Sequence, residues 1–195
     1  MVNAHDLLWG MSPAHLPADA PGWARVAIGT VVVRRAVVAA GFVAVGVRGR
    51  LREQRFAGVM PIAAVQRRVA PEALCEVVST RDLPALHALD QLRPVLAPLS
   101  WGVTGSAGFE LATGIEALHA QSDLDLILRM PRPLDRSDAR DLLAALDKAV
   151  CVVDMQLQTP LGAVALREWA GPSRRVLLKT ASGAHLVLDP WQAVA

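Results

Sequence analysis

The sequence predicts an α+β protein, with a C-terminal lobe of mixed sheet and helices and a smaller N-terminal α+β lobe. Its first part holds three apolar runs bounded by glycine or charged residues, which is the pattern of short strands in one sheet. Leucines then recur at spacings of three and four, as on the buried side of a helix. With 195 residues, 53% of them hydrophobic, the chain can bury two small cores. We therefore expect two lobes, residues 1–96 and 97–195, divided near Pro98.

The expected N-terminal lobe is the smaller, sheet-based one. It contains three predicted strands, at residues 30–33, 42–47 and 56–60. Two predicted helices follow, at residues 71–78 and 82–96, and Asp82 is placed to cap the second.

The expected C-terminal lobe alternates helices and strands. Helices are predicted at residues 109–118, 138–148 and 163–169, and Gly114 interrupts the first of them. Strands are predicted at residues 123–128, 151–157, 176–178 and 185–188. This order indicates a mixed sheet with helices packed on it.

Composition excludes several classes of function. The net charge of +2 and the lack of an extended basic track with interleaved aromatic residues disfavour a nucleic-acid partner. The apolar stretch 31–47 contains Arg34 and Arg35 and is divided by Gly41, so we interpret it as two strands and expect no membrane partner. The N-terminal residues lack the pattern of a secretory signal, which makes the cytoplasm the expected location.

The most informative feature is a set of three aspartates downstream of a Gly-Ser pair. Asp123 and Asp125 are two residues apart on a predicted strand, so their carboxylates point to the same face. Asp154 interrupts a later apolar run, where burial of an unpaired carboxylate would cost several kcal/mol. A small Gly105-Ser106 turn that opens a helix offers backbone N–H groups to phosphate. Such a set predicts a hard-cation site that also holds a polyphosphate.

Each part of this set has a simpler interpretation. An Asp-Leu-Asp-Leu strand is also what any half-exposed strand face looks like, and Asp154 could instead form a salt bridge with an arginine. The order of Gly-Ser turn, helix, Asp-x-Asp strand and third aspartate nevertheless resembles the polymerase-β-type nucleotidyltransferase superfamily. That resemblance implies a nucleotidyltransferase-like C-terminal lobe, in which Asp123, Asp125 and Asp154 hold two Mg²⁺ ions and Gly105 and Ser106 bind a triphosphate.

A more specific resemblance extends over nearly the whole chain. Several blocks fall in order, and they include His5-Asp6, Val31-Val-Val-Arg34-Arg35, Val45-Gly-Val-Arg48-Gly49, Gln54-Arg55, Trp101-Gly102-x-x-Gly105-Ser106, Ser122-Asp123-Leu-Asp125-Leu and Asp189-Pro190-Trp191. Together they resemble malonate decarboxylase holo-acyl-carrier-protein synthase, a phosphoribosyl-dephospho-CoA transferase family. This family transfers the phosphoribosyl-dephospho-CoA group from 2′-(5″-triphosphoribosyl)-3′-dephospho-CoA to a serine of the acyl carrier protein subunit, with release of pyrophosphate.

Basic residues offer further candidates for substrate binding. Arg34, Arg35, Arg48 and Arg55 lie in an arginine-rich stretch and could bind the remaining phosphates or an acidic carrier protein. Alternating arginines also occur on solvated strand faces, and the sequence alone leaves the two interpretations even. Lys179, after an apolar strand, could contact the phosphates as a point charge or be merely solvated.

Two other functions remain open at this stage. The chain could be a nucleotidyltransferase that uses an ordinary nucleoside triphosphate on a small molecule or protein. It could also be a non-catalytic module that binds coenzyme A or a carrier protein.

Overall fold

A computed structural model describes residues 2–51 and 53–192. It confirms the α+β class and divides the chain into two compact units, Met1–Ala70 and Pro71–Ala195. The division lies before the boundary expected near residue 96. The reason is that the leucine-rich helix Pro84–Leu96 packs against a strand of the second unit and so belongs to that unit's core.

The first unit is built on a five-stranded antiparallel sheet. Its strands are β1 (Leu7–Trp9), β2 (Thr30–Val33), β3 (Phe42–Arg48), β4 (Arg55–Pro61) and β5 (Arg67–Val69), in the spatial order β4-β3-β2-β1-β5. The three strands predicted from sequence are confirmed as β2, β3 and β4. The sequence analysis missed β1 and β5, which are three residues long and too short to show an alternating pattern.

One face of this sheet forms the core of the first unit. Val31, Val45 and Val47 point into it and are almost completely buried. The short helix α1 (Gly22–Val26) and the 3-10 turn Pro13–His15 lie on the same side, because Ala24, Trp23 and Leu16 join this cluster. On the other face of the sheet, Leu7, Thr30 and Ala44 are also buried, whereas its β4 residues Arg55, Ala57 and Val59 are exposed.

The second unit holds a six-stranded mixed sheet. Its strands are β6 (Trp101–Val103), β7 (Leu124–Arg129), β8 (Val153–Gln158), β9 (Ala163–Ala165), β10 (Val176–Lys179) and β11 (Ala184–Val187). They lie in the order β11-β10-β9-β8-β7-β6, in which β7 and β8 run parallel and the other neighbours run antiparallel.

The helices of the second unit correct several predicted boundaries. They are α2 (Pro84–Leu96), α3 (Gly105–Thr113), α4 (Arg136–Leu146) and α5 (Leu166–Ala170). The helix predicted at 71–78 is only a 3-10 turn, Pro71–Leu74. Asp82 does not cap α2; its carboxylate contacts His87 instead. The stretch predicted as one helix at 163–169 divides into strand β9 and most of helix α5.

The predicted helix 109–118 is also wrong at both ends. Helix α3 begins four residues earlier, at Gly105, and ends at Thr113. Gly114 adopts the left-handed conformation, with φ of 71°, and terminates the helix rather than bending it. Residues after Gly114 turn back toward the helix, where the Ala117 and Leu118 amides donate to Glu110 at 2.7 and 2.9 Å.

Candidate active site

Three aspartates converge where β7 and β8 run side by side. Asp125 and Asp154 are direct partners in the parallel register, and Asp123 precedes β7 by one residue. Each of the three offers a carboxylate oxygen within 4.8 Å of the others. The structure therefore brings together the three side chains that the sequence analysis grouped.

The burial argument made for Asp154 is wrong, although its position is as expected. Strand β8 alternates buried and accessible residues, so Val153 and Met155 face the core while Asp154 is exposed. Among the described residues, Asp154 forms no ion pair within 4.0 Å, which does not support the alternative of a structural salt bridge.

The chemistry of the donor set suits a hard divalent cation. All three candidate ligands are carboxylates near the starts of β7 and β8, where Asp123 and Asp154 are exposed and Asp125 is partly exposed. Oxygen ligands with negative charge are what Mg²⁺ and Ca²⁺ prefer. No sulfur or imidazole takes part in this cluster, so a soft or tetrahedral metal fits less well.

Gly105 and Ser106 form the start of α3, directly against Asp125. The backbone fixes this arrangement, because the Thr104 amide donates to the Asp125 carbonyl at 2.9 Å as a continuation of the β6–β7 pairing. Gly105 has φ of 61°, and a Cβ added there would lie 2.6 Å from Asp125 Cγ and overlap its carboxylate. The first turn of α3, whose N–H groups have no partner within the helix, therefore lies directly against Asp125.

A shallow depression next to the aspartates contains basic side chains as well. It is lined by Asp125, Asp154, Gln156, Arg167 and Lys179, with apolar residues from α4, β8 and α5. Lys179 was a candidate from sequence, and it lies here because the β9–β10 pairing sets it opposite Ala163.

Arg167 was missed by sequence reasoning, since it was placed in the middle of a predicted helix with no local signal of function. Its guanidinium donates to Asp147 Oδ1 at 2.7 Å. This hydrogen bond raises the pKa of Arg167, and the charge of Asp154 adds to the effect. Arg167 is thus a permanently charged group, oriented by Asp147, within the electrostatic field of the carboxylate cluster.

Helix α3 is anchored at its other end by a buried carboxylate. Glu110 is 5% exposed and receives Arg81 Nη1 at 2.6 Å in addition to the amides of Ala117 and Leu118. Burial tends to raise the pKa of Glu110, but the two amides and Arg81 outweigh it and hold the pKa below its ordinary value. This contact ties the segment leading toward Asp123 to the helix that begins at Gly105.

The other arginines proposed from sequence lie in the first unit. Arg48 and Arg55 are directly opposed across β3 and β4, and Arg34 continues β2 by one residue with its amide bonded to the Ala44 carbonyl at 2.9 Å. Arg35 follows and is half-buried. Their part in substrate binding stays a prediction.

A carboxylate triad on neighbouring parallel strands, with a Gly-Ser helix start against it, defines an enzyme of the nucleotidyltransferase type. Two family descriptions cover the chain: the phosphoribosyl-dephospho-CoA transferase MdcG N-terminal domain matches residues 3–71, and the C-terminal domain of the same enzyme matches residues 73–190. The chain belongs to the phosphoribosyl-dephospho-CoA transferase family, and it is a transferase.

Individual relatives agree with this assignment. A phosphoribosyl-dephospho-CoA transferase of Pseudomonas fluorescens (strain Pf0-1) is 62% identical over 199 residues, covering 98% of this chain and 97% of the relative. Proteins of the same name from Pseudomonas aeruginosa PAO1 and Azotobacter vinelandii are 55% and 54% identical, over 96% and 100% of this chain and 93% and 97% of theirs.

No solved structure matches the chain. Within the described residues, none of the helices combines the length and the apolar character that crossing a membrane requires.

Proposed function

We propose that this protein transfers the phosphoribosyl-dephospho-CoA group from 2′-(5″-triphosphoribosyl)-3′-dephospho-CoA to a serine of the malonate decarboxylase acyl carrier protein subunit, in the cytoplasm. The serine Oγ forms a bond to the α-phosphorus of the triphosphate while the bond from that phosphorus to the bridging oxygen breaks. The products are a phosphodiester-linked prosthetic group and pyrophosphate, and the serine proton passes to a base. The family assignment, together with the sequence blocks above, supports this donor and acceptor.

The observation that carries the proposal is the convergence of Asp123, Asp125 and Asp154 within 4.8 Å. These residues would hold two Mg²⁺ ions. When bound, the ions would neutralise charge on the triphosphate. The fit rests on the all-carboxylate donor set and on the exposure of Asp123 and Asp154.

The chain's own groups then position the reactants. The amides of Gly105 and Ser106, at the positive end of α3, would donate hydrogen bonds to the negative oxygens of the departing pyrophosphate. Lys179 and Arg167 line the same depression and supply further positive charge. Asp154 would either ligate the ion that activates the serine hydroxyl or accept the proton of that hydroxyl. Phosphoryl transfer needs mainly such positioning and charge stabilisation.

The test is the intact mass of the apo-carrier subunit after incubation with the enzyme, Mg²⁺ and triphosphoribosyl-dephospho-CoA, with pyrophosphate measured in parallel. We expect a mass gain of one phosphoribosyl-dephospho-CoA group with the wild type, and none with Asp125→Asn. Asp19→Asn makes the same chemical change at an exposed aspartate of the first unit and should retain full activity. Calorimetric titration with Mn²⁺ gives a readout besides activity, in which Asp125→Asn binds more weakly than Asp19→Asn.

A different result would select another function. If the carrier mass does not change with this donor, but label passes from ATP to another acceptor, the site is that of a nucleotidyltransferase with an ordinary nucleoside triphosphate as donor. Loss of activity in Asp19→Asn as great as in Asp125→Asn would contradict the assignment of the site.

A further inference from the structure

The second face of the five-stranded sheet in the first unit carries a group of arginines. Alternation along the strands puts Val31, Val45 and Val47 on the core face, so residues one position away point to the opposite face. On that opposite face lie four arginines, which we call the arginine face: Arg34, Arg48, Arg55 and Arg67.

Two of these arginines are closest neighbours across the strands. Arg48 and Arg55 are register partners in β3 and β4. Like charges in directly opposed positions destabilise an antiparallel pair. The pairing places two arginine side chains next to each other on this face.

The remaining two arginines lie flat on the sheet. The stem of Arg34 crosses Gly46, where an added Cβ would be 3.3 Å from Arg34 Cδ, so the glycine makes room for it. The guanidinium of Arg67 stacks over Trp9 with its Cζ 4.5 Å from the ring centroid. Both contacts hold the cations against the sheet and reduce the side-chain entropy lost on binding.

No acidic side chain shares the arginine face within the five strands, which the structure describes completely. Apart from the arginines, the strand residues on this face are Leu7, Trp9, Thr30, Val32, Phe42, Ala44, Gly46, Ala57, Val59, Pro61 and Val69. A face that is merely solvated commonly mixes both signs of charge. The charged strand residues of this face are all cationic and the others are apolar or small, with Leu7, Thr30 and Ala44 among them buried.

The cations are spread too widely for a single phosphate group to contact all of them. Arg34 stands opposite Ala44, four residues along β3 from Arg48, which is about 14 Å at strand spacing. Arg55 and Arg67 lie on the two outer strands, four strand spacings or about 19 Å apart. One di- or triphosphate group could contact the Arg48–Arg55 pair but not the whole set. An acidic protein surface, at roughly 800 Å² per partner, can cover all four.

We propose that the arginine face is the docking surface for an acidic patch on the acceptor protein. This inference rests on the proposed function, because the acceptor is the carrier subunit named there. It selects the carrier over the coenzyme A phosphates as the ligand of Arg34, Arg48 and Arg55, and it adds Arg67 to them.

The experiment measures binding of the apo-carrier subunit to the full-length enzyme by calorimetry at several salt concentrations, next to the KM for the triphosphoribosyl donor. In Arg48→Glu/Arg55→Glu we expect the Kd for the carrier to rise about tenfold or more, with a weaker salt dependence and an unchanged donor KM. Arg174→Glu/Arg175→Glu changes the same charge at two exposed neighbours in the second unit and should leave the Kd unchanged.

Separate controls test whether the variants fold and whether the proposed function holds. Thermal unfolding checks the charge-reversal variant, and Arg48→Gln/Arg55→Gln gives a milder test with a smaller rise in Kd. An unchanged carrier Kd, or a rise in donor KM in its place, overturns the docking surface while carrier modification by the wild type upholds the function. Salt-dependent carrier binding through this face with no gain of mass would uphold the docking surface and reject the proposed function. A wild type that neither binds nor modifies the carrier would reject both.

Discussion

Replacement of Gly105 by alanine tests the geometry of the site most directly. Gly105 has a left-handed φ of 61° and lies against Asp125. An alanine there carries two separate costs. One is the backbone penalty of a side chain at positive φ, about 1 kcal/mol. The other is the overlap of the new Cβ with the carboxylate of Asp125.

The overlap cannot be relieved by a rotation of the Asp125 side chain. The new Cβ would lie 2.7 Å from Asp125 Cβ, where ordinary contacts begin at 3.4 Å, and the Cβ of Asp125 is fixed to its strand. The start of α3 and strand β7 must therefore separate by roughly 0.7 Å, against the hydrogen bond from Thr104 to Asp125. Since a misplacement of about 1 Å in a catalytic site can cost about 100-fold, we expect a loss of that order in kcat/KM.

Gly114→Ala provides the matched control. Gly114 has φ of 71°, and nothing lies within 4 Å of the position that its Cβ would take. It should show the backbone penalty of about 1 kcal/mol in urea unfolding with near wild-type carrier modification. If Gly105→Ala were as active as Gly114→Ala, the contact between the helix start and Asp125 would have no part in catalysis and the reasoning would fail.

Other features of the second unit give further predictions. Glu110→Gln should lower the free energy of unfolding by about 2 kcal/mol at pH 7, because a charged acceptor for Arg81 is lost. Since the folded-state pKa of Glu110 is depressed, that difference is present above the ordinary glutamate pKa, about 4.3, and should vanish as the pH falls through the folded-state value. Burial, with Glu72 and Glu76, raises the pKa of the Cys75 thiol to about 11, so iodoacetamide at pH 8 should modify Cys75 only after unfolding, as read by mass spectrometry. Arg167→Gln should raise the donor KM severalfold without change in thermal unfolding; an unchanged KM would remove Arg167 from the site.

The parts of the fold predicted correctly are those with a strong local pattern. Strands β2, β3 and β4 carry β-branched residues bounded by glycine or charge, and their positions follow from that pattern. The edges and short elements were not predictable, because three residues such as Trp101–Val103 become a strand only through pairing with β7. Gly114 shows the same limit: whether a glycine bends or ends a helix depends on its φ, which the sequence does not fix.

For the candidate active site, the sequence indicated which residues take part but not how buried or exposed each of them is. The two-residue spacing predicted that Asp123 and Asp125 share a direction, and the convergence with Asp154 followed once β7 and β8 paired in parallel. The prediction that Asp154 is buried was wrong, because it assumed that a polar residue in an apolar run is buried like its neighbours. On β8 it occupies the exposed half of an alternating strand.

The basic residues of the site could not be grouped from the sequence, because they are far apart along the chain. Arg167 and Lys179 approach Asp125 and Asp154 only through the order β10-β9-β8-β7, which carries β10 and the helix after β9 to the same depression. Nothing within a few residues of Arg167 marks it, whereas its hydrogen bond to Asp147, twenty residues away, fixes its direction. Asp123 and Asp125 leave a two-residue spacing in the sequence, whereas Asp154, Arg167 and Lys179 come from other elements and join them only through the fold.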